Sequence, residues 1–205
     1  MPQISCILLA AGKSTRMGKK NKLLLEFNNT PLVRRVCERL MSISDCETIV
    51  VTGYQHEEIK SSLKNLGVKI VLNTNYEKGM LSSIKQGILS IDQESQGFFV
   101  CLADCPFINP TIMQQMIKKI KEELGKIIVP THKNLRGNPV LISKDFIPEI
   151  LSHHDADHGC YFLLKKYPQK VHKLLVSDKK VFFDIDNISD YEKLSKLQDL
   201  ESKNV

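Results

Sequence analysis

Short apolar runs alternate with stretches of helical periodicity along most of this chain, and that alternation limits what it can fold into. Ile4–Leu9, Thr48–Thr52, Val68–Leu72, Phe98–Leu102 and Lys126–Val129 read as strands. Ile4–Leu9 is an apolar run, as expected of a buried strand. Between the runs, Pro31–Ile43, Gln55–Asn65, Leu81–Ile91 and Pro110–Leu124 read as helices. Thr30 is the expected N-cap of the first, with Pro31 at its first helical position, and Asn109 is the expected cap of the last. The β-α-β-α order predicts an α/β fold, a Rossmann-like three-layer α/β/α domain around a mostly parallel sheet. From about Thr131 onward the pattern weakens into an expected irregular lobe. The 205 residues suffice for one such domain, and no linker, repeat or low-complexity stretch divides them. The expected organisation is a single domain over 1–205.

Sheets of this kind bind ligands beyond the carboxyl ends of their strands, and the segment after Leu9 suits an anionic ligand. It reads Leu9-Ala10-Ala11-Gly12-Lys13-Ser14-Thr15-Arg16-Met17-Gly18, with Lys22 following. The small residues let backbone N–H groups approach phosphate oxygens. Lys13, Arg16 and Lys22 add positive charge, forked in the case of arginine. Gly12-Lys13-Ser14 mimics the tail of a Walker A loop, but that motif would require glycine at Ile7, inside the apolar run.

Composition narrows the partners. The formal net charge of +6 suits polyanionic ligands. Lysines are dispersed and aromatics few, so nucleic acid is not an expected partner. No apolar run approaches the ~18 residues of a membrane span. Membrane association is not expected, and the absence of a secretory pattern predicts a cytoplasmic protein. Six cysteines form no C-x-x-C pair; Cys6, Cys37 and Cys101 read as core thiols. His153, His154 and His158 read as a solvated loop.

Four further groups carry chemistry. Ala103-Asp104-Cys105-Pro106 puts a carboxylate at a strand's carboxyl end, where Mg²⁺ could be held with phosphates and water completing its shell. Phe183-Asp184-Ile185-Asp186 places two carboxylates on one face of an extended segment, ahead of a helix beginning near Ser189 and running towards Leu200. Asn75–Ile84 puts Gly79 and Met80 before a helix whose first turn holds Ser82 and Ser83, groups able to read a base or ribose. Arg136-Gly137-Asn138-Pro139-Val140 offers a guanidinium fork beside a glycine.

These segments together resemble the MobA-like nucleotidyltransferases, and within them the molybdenum cofactor cytidylyltransferases. The resemblance spans roughly residues 4 to 194. It implies a nucleotide-diphospho-sugar transferase-like fold, with a nucleotide-binding half over about 1–106 and an acceptor-binding half over about 107–205. It implies transfer of CMP from CTP to the terminal phosphate of molybdopterin or the molybdenum cofactor, with Mg²⁺ as cofactor and pyrophosphate released. A recipient molybdoenzyme or its chaperone is an implied partner. Residue by residue, it assigns catalysis to Arg16, Lys22 and Asp104. Nucleotide binding falls to Leu9, Ala10, Ala11, Gly12, Lys13, Ser14, Lys22, Gly53, Gly79, Ser82 and Asp104. Acceptor binding falls to Arg136, Gly137, Asn138, Pro139, Asp157 and Gly159. The metal falls to Asp104 and Asp186, with Asp184 the alternative. The family usually has Thr-Pro after the tail carboxylate, where this chain has Asn187-Ile188. Ala11 narrows the space near the base and favours a pyrimidine, since guanylyl-transferring relatives usually carry glycine there. A guanylyl-transferring enzyme, a sugar- or polyol-phosphate nucleotidyltransferase on the same fold, and a non-enzymatic cofactor carrier remain the alternatives.

Overall fold

The computed structural model describes residues 4–17, 21–123, 125–133, 135–154 and 158–194. The first strand, β1 (Ile4–Ala10), leads through a loop to the short pair β2 (Glu26–Phe27) and β3 (Thr30–Pro31). Helix α1 (Leu32–Met41), β4 (Cys46–Thr52), α2 (His56–Ser62), β5 (Lys69–Leu72), α3 (Met80–Ile88), β6 (Gly97–Leu102) and α4 (Pro110–Glu122) follow. The remainder comprises β7 (Ile127–His132), β8 (Leu135–Arg136), β9 (Val140–Ser143), α5 (Ile147–Ser152), α6 (Tyr161–Lys166) and β10 (Val171–Leu175).

The main sheet has eight strands in the order β10-β7-β9-β6-β1-β4-β5, with β8 paired to β7. β1 pairs in parallel with both β4 and β6, β4 with β5, and β7 with β10. β9 runs antiparallel between β6 and β7. Helices cover both faces. Ile4, Cys6, Leu8 and Phe99 pack beneath α1, α2 and α4, while Ile7, Ile49, Phe98 and Val100 pack beneath α3, α5 and α6. Phe98 and Phe99 are adjacent and fully buried on opposite faces; burial of such a ring contributes about 1.5–3 kcal/mol. This is the expected three-layer α/β/α architecture.

The chain departs from β1 towards β4 and β5, then returns to β6 on the other side of β1. The loops leaving β1 and β6 therefore diverge and open a crevice at the strands' carboxyl edge.

Three expectations need correction. The first helix starts at Leu32, and neither Thr30 nor Pro31 caps it with a side chain. Thr30 and Pro31 instead pair with Phe27 and Glu26. Asn28 and Asn29 both adopt left-handed backbone, the geometry of a two-residue hairpin turn. Second, the helix expected over Gln55–Asn65 is confined to His56–Ser62, because Gln55 is left-handed (φ 52°). Third, the region after Thr131 is ordered: β9 and β10 complete the sheet. Asn109 caps α4 as expected, its Oδ1 accepting from the N–H groups of Thr111 (3.0 Å) and Ile112 (3.3 Å). Residues 188–194 are helical, and the expected continuation to Leu200 lies outside the described residues.

Gly87 shows how closely α3 approaches β1. A Cβ there would stand 2.4 Å from Ile7 Cγ2, a branch methyl fixed in the central strand. Alanine's helix propensity gains about 0.5–1 kcal/mol over glycine, whereas overpacking costs about 1–3 kcal/mol. Gly87→Ala is therefore expected to lower unfolding free energy by about 1–2 kcal/mol in urea titration.

Candidate active site

The crevice beside β1 and β6 holds a cleft of ≈ 360 Å³ lined by Leu9, Ala11, Gly12, Ser14, Arg16, Lys22, Gly79, Asp104 and Asp186, with Tyr76, Met80, Ser83 and Leu102. Two strands deliver its floor at one level. Leu9 lies opposite Leu102, and the Ala103 N–H donates to the Leu9 carbonyl (3.2 Å). The chain turns at Asp104, where the Cys105 N–H donates to the Leu102 carbonyl (3.2 Å). The tail crosses this turn, the Ile185 N–H donating to the Asp104 carbonyl (3.0 Å). Ile185 is fully buried, so the alternating Asp184 and Asp186 side chains are held outward on either side of it.

Lys22 is the centre of the charge arrangement. Its Nζ lies 2.6 Å from Asp104 Oδ2 and 3.4 Å from Asp186 Oδ1. The Lys22 and Asp104 side chains are only 15% and 19% exposed, so water screens this contact little. Arg16 pairs with the other oxygen of Asp186. Arg16 is 72% exposed, and an ion pair so open to solvent exchanges readily for a ligand. Asp184 makes no such contact and lies outside the cleft lining. Its carboxyl is held above the usual range, first by loss of hydration and then by the charges of Asp186 and Asp104. Of the two tail carboxylates, Asp186 is the one that faces Lys22. Burial, reinforced by Asp104 and Asp184, also pushes the Cys105 thiol up, so Cys105 stays a neutral thiol.

The other site candidates separate. Ala10 is buried against the core. Lys13 reaches across to Glu77. Gly53 admits the ring of Tyr76, whose Cβ and Cγ would lie 2.7 Å from any Cβ placed there. Ser82 bonds to the carbonyls of Gly79 (2.8 Å) and Asn75 (3.0 Å) and opens onto a different depression, whereas Ser83 lines the cleft. Arg136, Gly137 and Asn138 line a neighbouring cavity of ≈ 240 Å³ together with His158. Met80 and Leu102 form walls of both spaces. Pro139 follows a cis bond and lies outside that lining. Gly159 lies against Met80. Asp157 lies outside the described residues.

The sequence reading passed over Asn21. This buried residue caps the turn Lys22–Leu24. Its Oδ1 accepts from the Leu23 N–H (3.1 Å) and from the Ser14 hydroxyl (3.2 Å). It thus ties the small-residue loop to the backbone that carries Lys22. An Asx residue before a Lys-Leu-Leu run was a legible capping signal.

A family model described as the MobA-like NTP transferase domain matches residues 6–171. The chain belongs to the MobA-like NTP transferase family. The transferase is an enzyme of the nucleotidyltransferase class. It is 27% identical to the molybdenum cofactor cytidylyltransferase of Escherichia coli over 192 residues, covering 93% of this chain and 95% of that protein. It is 28% identical to a probable molybdenum cofactor guanylyltransferase of Thermococcus sibiricus (92% and 95% covered). It is 24% identical to nicotine blue oxidoreductase of Paenarthrobacter nicotinovorans (95% and 97% covered). Its fold matches the manganese complex of Rv0371C from Mycobacterium tuberculosis with a TM-score of 0.80 at 22% identity, covering 95% and 98% of the two chains.

Asn21→Ala removes a cap and unties Ser14. We expect unfolding free energy to fall by about 1 kcal/mol and triphosphate affinity to weaken, checked by urea titration and calorimetry.

Proposed function

We propose that this enzyme transfers CMP from CTP to the terminal phosphate of molybdopterin or its molybdenum-loaded form, releasing pyrophosphate. The observation that carries the reading is Lys22 bracketed by Asp104 and Asp186 at the mouth of the Ala11–Arg16 loop. The adjoining cavity supports a second, flat substrate. Its walls include Ile84, Val100 and Leu164, with Arg136, Asn138 and His158 as its few polar groups, the usual composition of a small-molecule site. The shared Met80 and Leu102 walls support two ligands bound side by side.

A divalent cation fits the donor set. The ammonium of Lys22 already occupies a point on which two carboxylates from distant segments converge. Mg²⁺ commonly takes only one or two carboxylates, and among the described residues no group of three or more His, Cys, Asp or Glu could hold a metal alone. Asp104 and Asp186 would hold Mg²⁺ with nucleotide oxygens, and the ion would supply neutralisation of phosphate charge. Lys22, at the same point of the cleft, would reach towards the α-phosphate. Arg16, freed from Asp186, and Lys13, freed from Glu77, would meet the charge growing on departing pyrophosphate. The acceptor phosphate attacks the α-phosphorus as the bond to the β-phosphate breaks. A phosphate monoester needs little base assistance, so these residues act by positioning and charge neutralisation. Ala11 supports a pyrimidine: it is buried and lines the cleft, and its methyl occupies space that glycine would leave open.

The test is pyrophosphate release with molybdopterin, Mg²⁺ and each nucleoside triphosphate in turn. Release with CTP alone is expected. Preference for GTP or ATP overturns the base assignment. Binding without release with any triphosphate shifts the reading to another acceptor or to a carrier. Lys22→Ala should lower turnover by about 10²–10³-fold, or 3–4 kcal/mol, as loss of an oxyanion-hole donor does. Asp104→Ala should abolish turnover, and Asp186→Asn should cost far more than Asp184→Asn. Mn²⁺ titrated into the protein should bind weakly alone and more tightly when CTP is present.

A further inference from the structure

Four cations of the second half converge on one groove. It measures ≈ 650 Å³ and lies where β7, β8 and β10 meet α6. Lys133, Arg136, Lys165 and Lys173 line it, and among the described residues none of them pairs with a carboxylate. Lys166 and Lys193, by contrast, pair with Glu149 and Asp190.

Strand register explains the arrangement. Arg136 lies opposite Thr131, and Thr131 opposite Leu175; Lys173 lies opposite Val129. The period of two puts Lys173 and Leu175 on one face of β10. From α6, Tyr161, Leu164 and Lys165 approach at i, i+3 and i+4. Leu135 lines the groove and Leu175 lies just beyond that lining, on the strand face that carries Lys173; they are 60% and 78% exposed. The surface thus combines positive charge that has no carboxylate partner among the described residues with bare leucines, whose exposure to water is costly.

We propose that this groove docks a short acidic segment of a partner protein, its carboxylates on the four cations and an apolar side chain on Leu135 and Leu175. Charge complementarity selects an acidic occupant, and the leucines select a polypeptide. Nucleic acid fits less well. The groove's aromatic, Tyr161, already carries the Arg136 guanidinium at 4.3 Å and the Lys165 ammonium at 4.9 Å, so a stacking base would compete with two cations for the ring. A free phosphate would use the cations and leave the leucines bare. Arg136, Tyr161 and Leu164 also line the cavity beside the cleft, so a docked segment would lie across the mouth of that cavity.

The experiment is NMR mapping on the full chain, with a synthetic peptide of alternating Glu and Leu as probe. An alternating Lys–Leu peptide, inorganic pyrophosphate and oligothymidylate serve as competitors. Shifts centred on Lys133, Lys165, Lys173 and Leu175 are expected for the Glu–Leu peptide, weakening as salt rises. The double variant Lys165→Glu/Lys173→Glu should lower affinity by about tenfold or more, with unfolding midpoint and triphosphate turnover unchanged. Leu175→Ser should weaken the same binding with the charges intact. Equal binding of the Lys–Leu peptide, or no shift in the groove, overturns the proposal. Tighter binding of pyrophosphate at these residues reassigns the groove to a free anion, and tighter binding of oligothymidylate reassigns it to nucleic acid; either result overturns it.

Discussion

Two carboxylates, Asp104 and Asp186, meet at one strand end with Asp184 close by, and the requirement for a counter-cation between them organises the site. Asp104 arrives from β6, while Asp184 and Asp186 arrive from the tail. Loss of hydration first, and then the charges of Asp186 and Asp104, push the Asp184 carboxyl up even with Lys22 in place. Lys22 meets the requirement only because its backbone is fixed on both sides. Asn21 caps the turn, and Leu23 is buried in the core. In the proposed reaction the same negative charge becomes the seat of a metal, and the lysine becomes available to phosphate.

The sheet decides which segments can reach this point. The reversal of strand order at β1, whose two neighbours both run parallel to it, opens the cleft, and β9 furnishes its neighbour. Because β9 is antiparallel to β6, with Val140 opposite Val100, the segment before it begins at β6's carboxyl end. Arg136 to Asn138 are thereby brought next to the cleft although they precede a strand rather than follow one. A parallel strand in that position would have delivered its first residues to the opposite edge.

Where local pattern and packing agree, the sequence was readable. Ile4–Leu9 needed no alternation because both of its faces are covered, and Asn109 before Pro110 announced a cap that formed. Thr30-Pro31 failed for a local reason: the two left-handed asparagines just upstream fold back first, and the hairpin takes Thr30 and Pro31 before the helix can. The second half failed for a non-local one. Val140–Ser143 is four residues long, and its partners, β6 and β7, lie on either side of it in space; nothing in so short a run states its direction. Among the candidate site residues, Asp104 was visible from its position after an apolar run, and Lys22 as a cation following the small-residue loop. The choice of Ser83 over Ser82 was not, since it depends on which way the first turn of α3 faces. Nor could spacing decide between Asp184 and Asp186, because both flank the same buried isoleucine.

Arg16 and Asp186 stand 170 positions apart and touch. A growing polypeptide exposes its basic loop long before the acidic tail exists to meet it. During that interval the loop is a bare cationic surface without its counter-charge, open to any polyphosphate in its surroundings. Arrival of the Asp184–Asp186 strap, anchored by Ile185, therefore supplies that loop with its counter-charge, across 170 positions of chain.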